Sequence, residues 1–90
     1  MNFIYRVHAI ERMFQREISE EAVEQIVVKG KVIESYENDK PYPSFLALGF
    51  HRDRAIHIVY AKDENSDIII ITAYEPSPEK WEKDMKTRRV

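Results

Sequence analysis

The sequence contains no cysteine and has only two glycines and four prolines among its 90 residues. The lack of cysteine excludes disulfides and thiolate metal sites, so packing has to provide the stability. The scarcity of glycine and proline gives no compositional basis for disorder. The sequence also lacks an apolar run of the roughly 20 residues that a membrane span requires, and it shows no signal-peptide pattern. We therefore expect a cytoplasmic protein that does not contact a membrane.

There is also no excess of positive charge. The 14 lysines and arginines are outnumbered by 16 aspartates and glutamates, which gives a net charge of −2 and a pI near 5.9. A dedicated nucleic-acid-binding protein is usually basic overall, so this balance counts against RNA binding unless basic residues gather on one face. The length allows a single domain, which we assign to residues 1–90.

Helical periodicity dominates the first third of the chain, where we expect a helical hairpin over residues 6–29. The first helix is predicted from about Arg6 to Arg16. One side of it is apolar and carries Val7, Ile10, Met13 and Phe14. The opposite side carries His8, Arg12 and Arg16, spaced i, i+4, i+8. A second helix is predicted from an N-cap at Ser19 to a left-handed cap at Gly30.

The period changes to that of strands after Gly30. Four strands are predicted over 31–37, 45–50, 55–61 and 68–75, separated by polar turns. The last strand is apolar on both faces, which is typical of a strand covered on both sides or covered by a partner. In the C-terminal segment, 76–90, Trp81 and Met85 stand at helical spacing. The sequence therefore predicts an α+β domain with two N-terminal helices packed on a four-stranded antiparallel β-meander, followed by a short C-terminal helix.

Three stretches carry a family resemblance. They are HAIERM with REISEEAV at 8–13 and 16–23, KPYPS at 40–44, and IITAYEP at 70–76. Together, in this order, they resemble the domain-of-unknown-function 4258 family of small bacterial and archaeal proteins. That family is similar in organisation to the RelE/BrnT-like group of toxin RNases, the barnase–EndoU–colicin–RelE group. The resemblance implies a metal-independent endoribonuclease of toxin–antitoxin type, or a relic of one, with RNA and an antitoxin protein as partners.

Metal-independent RNA cleavage needs a proton-transfer group and cations near one phosphate. His8, Arg12 and Arg16 offer an imidazole and two guanidiniums on one helix face, and they match the family's helix motif. We predict that His8 transfers a proton while Arg12 and Arg16 hold the phosphate. The alternative is a solvated helix face whose charges pair with neighbouring glutamates.

Two further residues are candidates to complete this catalytic site. His57 lies mid-strand and is either a second proton-transfer group or a buried histidine bonded to the backbone. Tyr74, near the end of the last strand, either assists at the phosphate or covers the core with its hydroxyl in water. Tyr42, Arg52 and Arg54 are candidate RNA-binding residues, with packing and solubility as the alternatives.

The three histidines form no metal-binding pattern, so we expect neither a metal nor another cofactor. The rival to the RNase hypothesis is a non-catalytic protein-interaction module. Such a module would bind its partner through a sheet edge or through the apolar last strand, and a homodimer is one form of it.

Overall fold

The computed structural model describes residues 2–90, so Met1 of the predicted domain lies outside the described part of the chain. Two helices and five strands follow one another along it. They are β1 (Phe3–Tyr5), α1 (Val7–Gln15), α2 (Glu20–Lys29), β2 (Lys31–Tyr36), β3 (Ser44–His51), β4 (Arg54–Lys62) and β5 (Ile68–Tyr74). No helix within residues 2–90 has the length and apolarity needed to cross a membrane.

The five strands form one mixed sheet in the order β1-β5-β4-β3-β2. The prediction of an α+β fold with two helices is confirmed, but the prediction of four antiparallel strands is wrong. The additional strand, β1, runs parallel to β5 and pairs Phe3 with Ile68 and Tyr5 with Ile70. Three residues are too few to show strand alternation, so only the contact with a segment more than 60 residues away identifies this strand. As a result, β5 lies inside the sheet, between β1 and β4.

The first helix lies on β5, and the side that it packs against the sheet differs from the predicted apolar side. Ala9 and Met13 are buried against the sheet, whereas Val7, Ile10 and Phe14 are 70%, 54% and 85% exposed. The small side chain of Ala9 allows the helix to approach the sheet closely. This orientation leaves an apolar stripe in solvent and brings the C-terminal end of α1 to the end of β5.

The second helix lies on β3 and β4 and begins as expected, since the Ser19 hydroxyl accepts a hydrogen bond from the Ala22 amide at 3.1 Å. Its end differs from the prediction, because Gly30 has an extended backbone with φ −75° and ψ −174°. A Cβ at this position would lie 2.4 Å from the Ile26 carbonyl oxygen and 2.6 Å from that of Leu48. Glycine is therefore needed here for close packing of α2 on β3.

The C-terminal segment crosses the sheet face opposite the helices, and we call residues 76–90 the strap. The prediction of a C-terminal helix is wrong, since the strap consists of turns and one isolated bridge between Trp81 and Arg88. Asp84 accepts hydrogen bonds from the Lys86 and Thr87 amides at 3.0 and 2.9 Å, which fixes a turn where a helix would continue. Trp81 is buried against the sheet. The apolar spacing of Trp81 and Met85 thus reflects packing on the sheet in an irregular conformation.

Candidate functional site

A cleft of about 550 Å³ opens where α1 and β5 end and the strap begins. We call it the basic cleft. Its lining comes from all three of these segments: Arg16, Tyr74, Glu75, Ser77, Lys80, Trp81 and Arg88. Three cationic side chains therefore meet one carboxylate and one tyrosine, in a chain whose net charge is −2.

Behind the wall of the cleft lies a histidine–tyrosine pair. His57 on β4 is directly opposite Tyr74 on β5, and its side chain is completely buried. Its Nε2 lies 2.6 Å from the Met85 carbonyl oxygen, and its Nδ1 lies 3.3 Å from the Tyr74 hydroxyl. A carbonyl can only accept, so Nε2 carries the hydrogen. In the neutral ring Nδ1 is then the acceptor, and Tyr74 donates its hydroxyl proton to it.

Burial sets the protonation state of this pair. Removal from water disfavours the charged imidazolium and lowers the pKa of His57 below its ordinary value. The same loss of solvation disfavours the phenolate and raises the pKa of Tyr74. Trp81 packs edge-on against the imidazole with ring centroids 4.5 Å apart, which completes the apolar enclosure. At neutral pH the pair is therefore an uncharged imidazole that accepts from an uncharged phenol.

The cations of the cleft are held by contacts that leave donors available. Arg16 Nη1 donates to the Ala73 carbonyl oxygen at 2.9 Å. Arg88 binds Glu34 through two parallel hydrogen bonds of 2.8 and 2.9 Å and lies 4.6 Å from the centre of the Trp81 ring. Since a guanidinium has five N–H donors, these contacts account for one in Arg16 and two in Arg88. Both residues thus retain donors for an anion in the cleft.

The single carboxylate of the cleft, Glu75, is itself paired. Arg54 lies 2.8 Å from it and also donates to the backbone oxygens of Arg16 and Glu17, at 2.8 and 2.7 Å. Arg54 therefore ties the β3–β4 hairpin to the end of α1, and it offsets the negative charge of Glu75. The positive potential of the cleft is preserved as a consequence.

Only some of the predicted site residues lie at the basic cleft. Arg16 and Tyr74 line the basic cleft, and His57 lies directly behind Tyr74. His8 and Arg12 are exposed on α1 outside the cleft, and the His8 side chain is 88% exposed and lies 3.4 Å from Glu11. Their roles remain predictions. Of the candidate RNA-binding residues, Tyr42 is half-buried beside Pro41 and Pro43, Arg52 is exposed in the β3–β4 hairpin, and Arg54 is the bridging residue described above.

The contribution of the strap was missing from the predicted site. Lys80 and Arg88 reach the cleft only because the strap folds back over the sheet, and the tail's sequence gives no local signal of that path. The partner of Arg88, Glu34 on β2, is 54 residues away in the chain. Within residues 2–90, no three histidine, aspartate or glutamate side chains come together in a way that would hold a metal ion.

Comparison with known proteins places most of this chain in one family. Neither the curated proteins nor the solved structures include a match to this chain. The family described as "Domain of unknown function (DUF4258)" matches residues 5–75, which extend from β1 through β5 to the rim of the basic cleft. This match covers both helices and all but the first residues of the sheet, and the chain therefore belongs to the DUF4258 family.

Proposed function

We propose that this protein is a metal-independent endoribonuclease that binds a phosphate of single-stranded RNA in the basic cleft. One observation carries the proposal: Tyr74, whose hydroxyl donates to a buried neutral imidazole, lines a cleft that also contains Arg16, Lys80 and Arg88. A proton-transfer pair and several cations around one cavity are what RNA cleavage without a metal requires. The resemblance of the family to RelE/BrnT-like toxin RNases points in the same direction.

The reaction uses the 2′-hydroxyl of the substrate as nucleophile. The 2′ oxygen attacks the adjacent phosphorus, the bond between phosphorus and the 5′ oxygen breaks, and the products carry a 2′,3′-cyclic phosphate and a 5′-hydroxyl. The 2′ proton passes to the Tyr74 oxygen as the Tyr74 proton passes to Nδ1 of His57. Lys80 gives a proton to the leaving 5′ oxygen, and Arg16 and Arg88 bind the non-bridging phosphate oxygens.

The test is cleavage of a labelled single-stranded RNA in EDTA, with identification of the new ends. We expect Tyr74→Phe to slow cleavage by about 10²–10⁴-fold, since it removes the proton carrier. Arg16→Gln should cost about 10²–10³-fold, the usual effect of losing one donor to a developing negative charge. Arg6→Gln is the matched control, because it removes the same charge at the other end of α1, outside the cleft.

Two results would contradict the cleft as the site of reaction. One is full activity in Tyr74→Phe, and the other is an equal loss in Arg6→Gln and Arg16→Gln. His8→Ala and Arg12→Gln belong in the same assay, because they test the prediction that the exposed stripe of α1 takes part. A loss in His8→Ala with full activity in Tyr74→Phe would move the proton transfer to α1.

A second candidate function, a protein-interaction module, is supported by the exposed apolar stripe of α1. Val7, Ile10 and Phe14 lie on one side of the helix and are more than half exposed. The last strand has neighbours on both sides, so within residues 2–90 the long free edge of the sheet is β2. Absence of RNA cleavage and RNA binding, together with self-association that Phe14→Glu abolishes in sedimentation experiments, would favour this module over the RNase.

A further inference from the structure

A second hollow lies at the same end of the sheet as the basic cleft. It has a volume of about 500 Å³ and is formed by the end of α2, the start of β2, the end of β3 and the middle of the strap. Its lining includes Lys29, Lys31, Phe50, Asp84 and Lys86, and we call it the lysine groove. Nothing in the reaction described above uses it.

The sheet register connects the two hollows. Tyr74 of the cleft is opposite His57, His57 is opposite Leu48, and Leu48 is opposite Lys31 of the groove. Because these residues form one row across four strands, the cleft and the groove are separated by three strand spacings, about 14 Å. The strap runs between them and contributes Arg88 to the cleft and Lys86 to the groove. Positive charge thus continues from one hollow to the other.

The three lysines of the groove outnumber its one carboxylate, Asp84, so their charge is neutralised only in part. Within residues 2–90, no carboxylate lies within ion-pair distance of the ammonium groups of Lys29, Lys31 or Lys86. The carboxylate of the groove, Asp84, already accepts hydrogen bonds from the Lys86 and Thr87 amides and from the Thr87 hydroxyl. The groove therefore has an excess of positive charge in a protein that is acidic overall, and an anion is the ligand that fits it.

An aromatic ring stands beside these cations. Phe50, near the end of β3, is 66% exposed, and its ring does not belong to the core between helices and sheet. Aromatic rings next to lysines are the arrangement by which proteins bind single-stranded nucleic acid, with a base stacked on the ring and phosphates on the cations. A small anion would use the lysines and leave the ring without a partner.

We propose that the lysine groove is a second subsite for the same RNA strand, with one base on Phe50 and adjacent phosphates on Lys31 and Lys86. The inference rests on the proposed function, since it takes the strand in the basic cleft as its starting point. The substrate is then a single-stranded segment long enough to reach from cleft to groove. A dinucleotide is too short to reach the groove and occupies the cleft alone.

The experiment measures binding of a labelled dinucleotide and of a labelled single-stranded RNA of about 12 nucleotides by fluorescence anisotropy, in a Tyr74→Phe background that suppresses cleavage. Stacking on an aromatic residue contributes about 1–3 kcal/mol per base, so Phe50→Ala should weaken binding of the longer RNA by roughly 5- to 150-fold. Lys31→Gln combined with Lys86→Gln should weaken it as well. Neither change should affect the shorter RNA. Because Phe50 is largely exposed, circular dichroism should show an unchanged fold.

The control for charge is Lys40→Gln combined with Lys62→Gln, which removes the same two charges from exposed positions outside both hollows. We expect it to leave the affinity for both RNAs unchanged. Arg16→Gln should weaken the binding of both RNAs, because both occupy the cleft.

The outcomes distinguish the proposed function of the basic cleft from the proposed subsite in the lysine groove. If Arg16→Gln weakens binding but the groove variants do not, the subsite is wrong and the cleft stands. If Arg16→Gln has no effect on either RNA, the proposed function is wrong, whatever the groove does. Equal competition by a polyglutamate peptide of the same charge would also overturn the subsite, because a peptide of that composition provides no base for Phe50.

Discussion

The histidine–tyrosine pair beside the basic cleft is built around the buried side chain of His57. His57 faces the strap side of the sheet, where Trp81 and the Met85 carbonyl oxygen enclose it and Tyr74 donates to it. Every polar atom of its ring is hydrogen-bonded, which offsets the cost of burying a polar ring. His57 is thus a buried histidine bonded to the backbone, and its role in proton transfer remains a prediction. Its Nδ1 also accepts a hydrogen bond from the Tyr74 hydroxyl, and the proposed reaction moves a proton along this bond.

Acid should destabilise the protein through this residue. Burial lowers the pKa of His57 in the folded state, whereas in the unfolded chain the imidazole takes up a proton near pH 6.5. Below that pH the unfolded chain binds more protons than the folded one, so the free energy of unfolding decreases as the pH falls toward the folded-state pKa. Urea unfolding between pH 5 and pH 8 measures this decrease, and His57→Gln should reduce it.

The matched control is His8→Gln, because the His8 side chain is 88% exposed. That variant should retain the pH dependence of the wild type. An identical pH dependence in His57→Gln and the wild type would show that the buried imidazole does not control acid stability.

At the scale of elements, the rotation of α1 distinguishes the structure from the sequence pattern. Apolar spacing alone groups Met13 with Val7, Ile10 and Phe14, but the sheet buries Met13 together with Ala9. The rotation brings Arg16 to the Ala73 carbonyl oxygen, and Arg54 then binds the backbone of Arg16. The helix orientation therefore positions one cation of the basic cleft, and the exposed stripe is its consequence.

Two neighbouring residues on α1 provide a test of this orientation. Met13→Ala removes a buried side chain and should lower the free energy of unfolding by about 2–5 kcal/mol. Phe14→Ser removes a larger side chain that is 85% exposed, so we expect a change within about 0.5 kcal/mol. Urea denaturation of both variants gives the comparison. A larger loss in Phe14→Ser than in Met13→Ala would mean that α1 packs through its apolar stripe.

At the scale of the whole molecule, charge is segregated although the net charge is small and negative. One end of the sheet collects three cations in the basic cleft and three in the lysine groove. They come from α1, α2, β2 and the strap, so the positive region exists only in the folded chain. An acidic overall composition is thus compatible with RNA binding at one end of the molecule, provided that the rest carries the acidic excess.

The salt dependence of RNA binding should report this arrangement. Each phosphate neutralised on a single strand contributes about 0.7 to the slope of log affinity against log salt concentration. The one phosphate bound in the cleft then predicts a slope of about −0.7 for a short RNA, and the three phosphates bound in cleft and groove predict about −2 for a long one. Anisotropy titrations of the Tyr74→Phe protein from about 50 to 200 mM salt measure both slopes. Affinity that does not change with salt would rule out phosphate contacts in either hollow.

Local sequence patterns were sufficient for the features that neighbouring residues control. The Ser19 cap, the positions of α1 and α2, and the extents of β2 to β5 within one or two residues follow from side-chain periodicity and capping chemistry. Residue type and position, together with the family resemblance for Arg16, indicate three members of the candidate site: Arg16, His57 and Tyr74.

Tertiary structure decided the rest, because it depends on contacts between residues that are distant in the chain. β1 is a strand only through its pairing with β5, the strap takes its path only through the contacts of Trp81, Met85 and Arg88, and α1 has its orientation only through the sheet. By itself, the sequence determined which segments are helical or extended, since that preference is local. Which cations share a cleft with Tyr74 was settled by long-range packing, because no local pattern records which distant segments will meet.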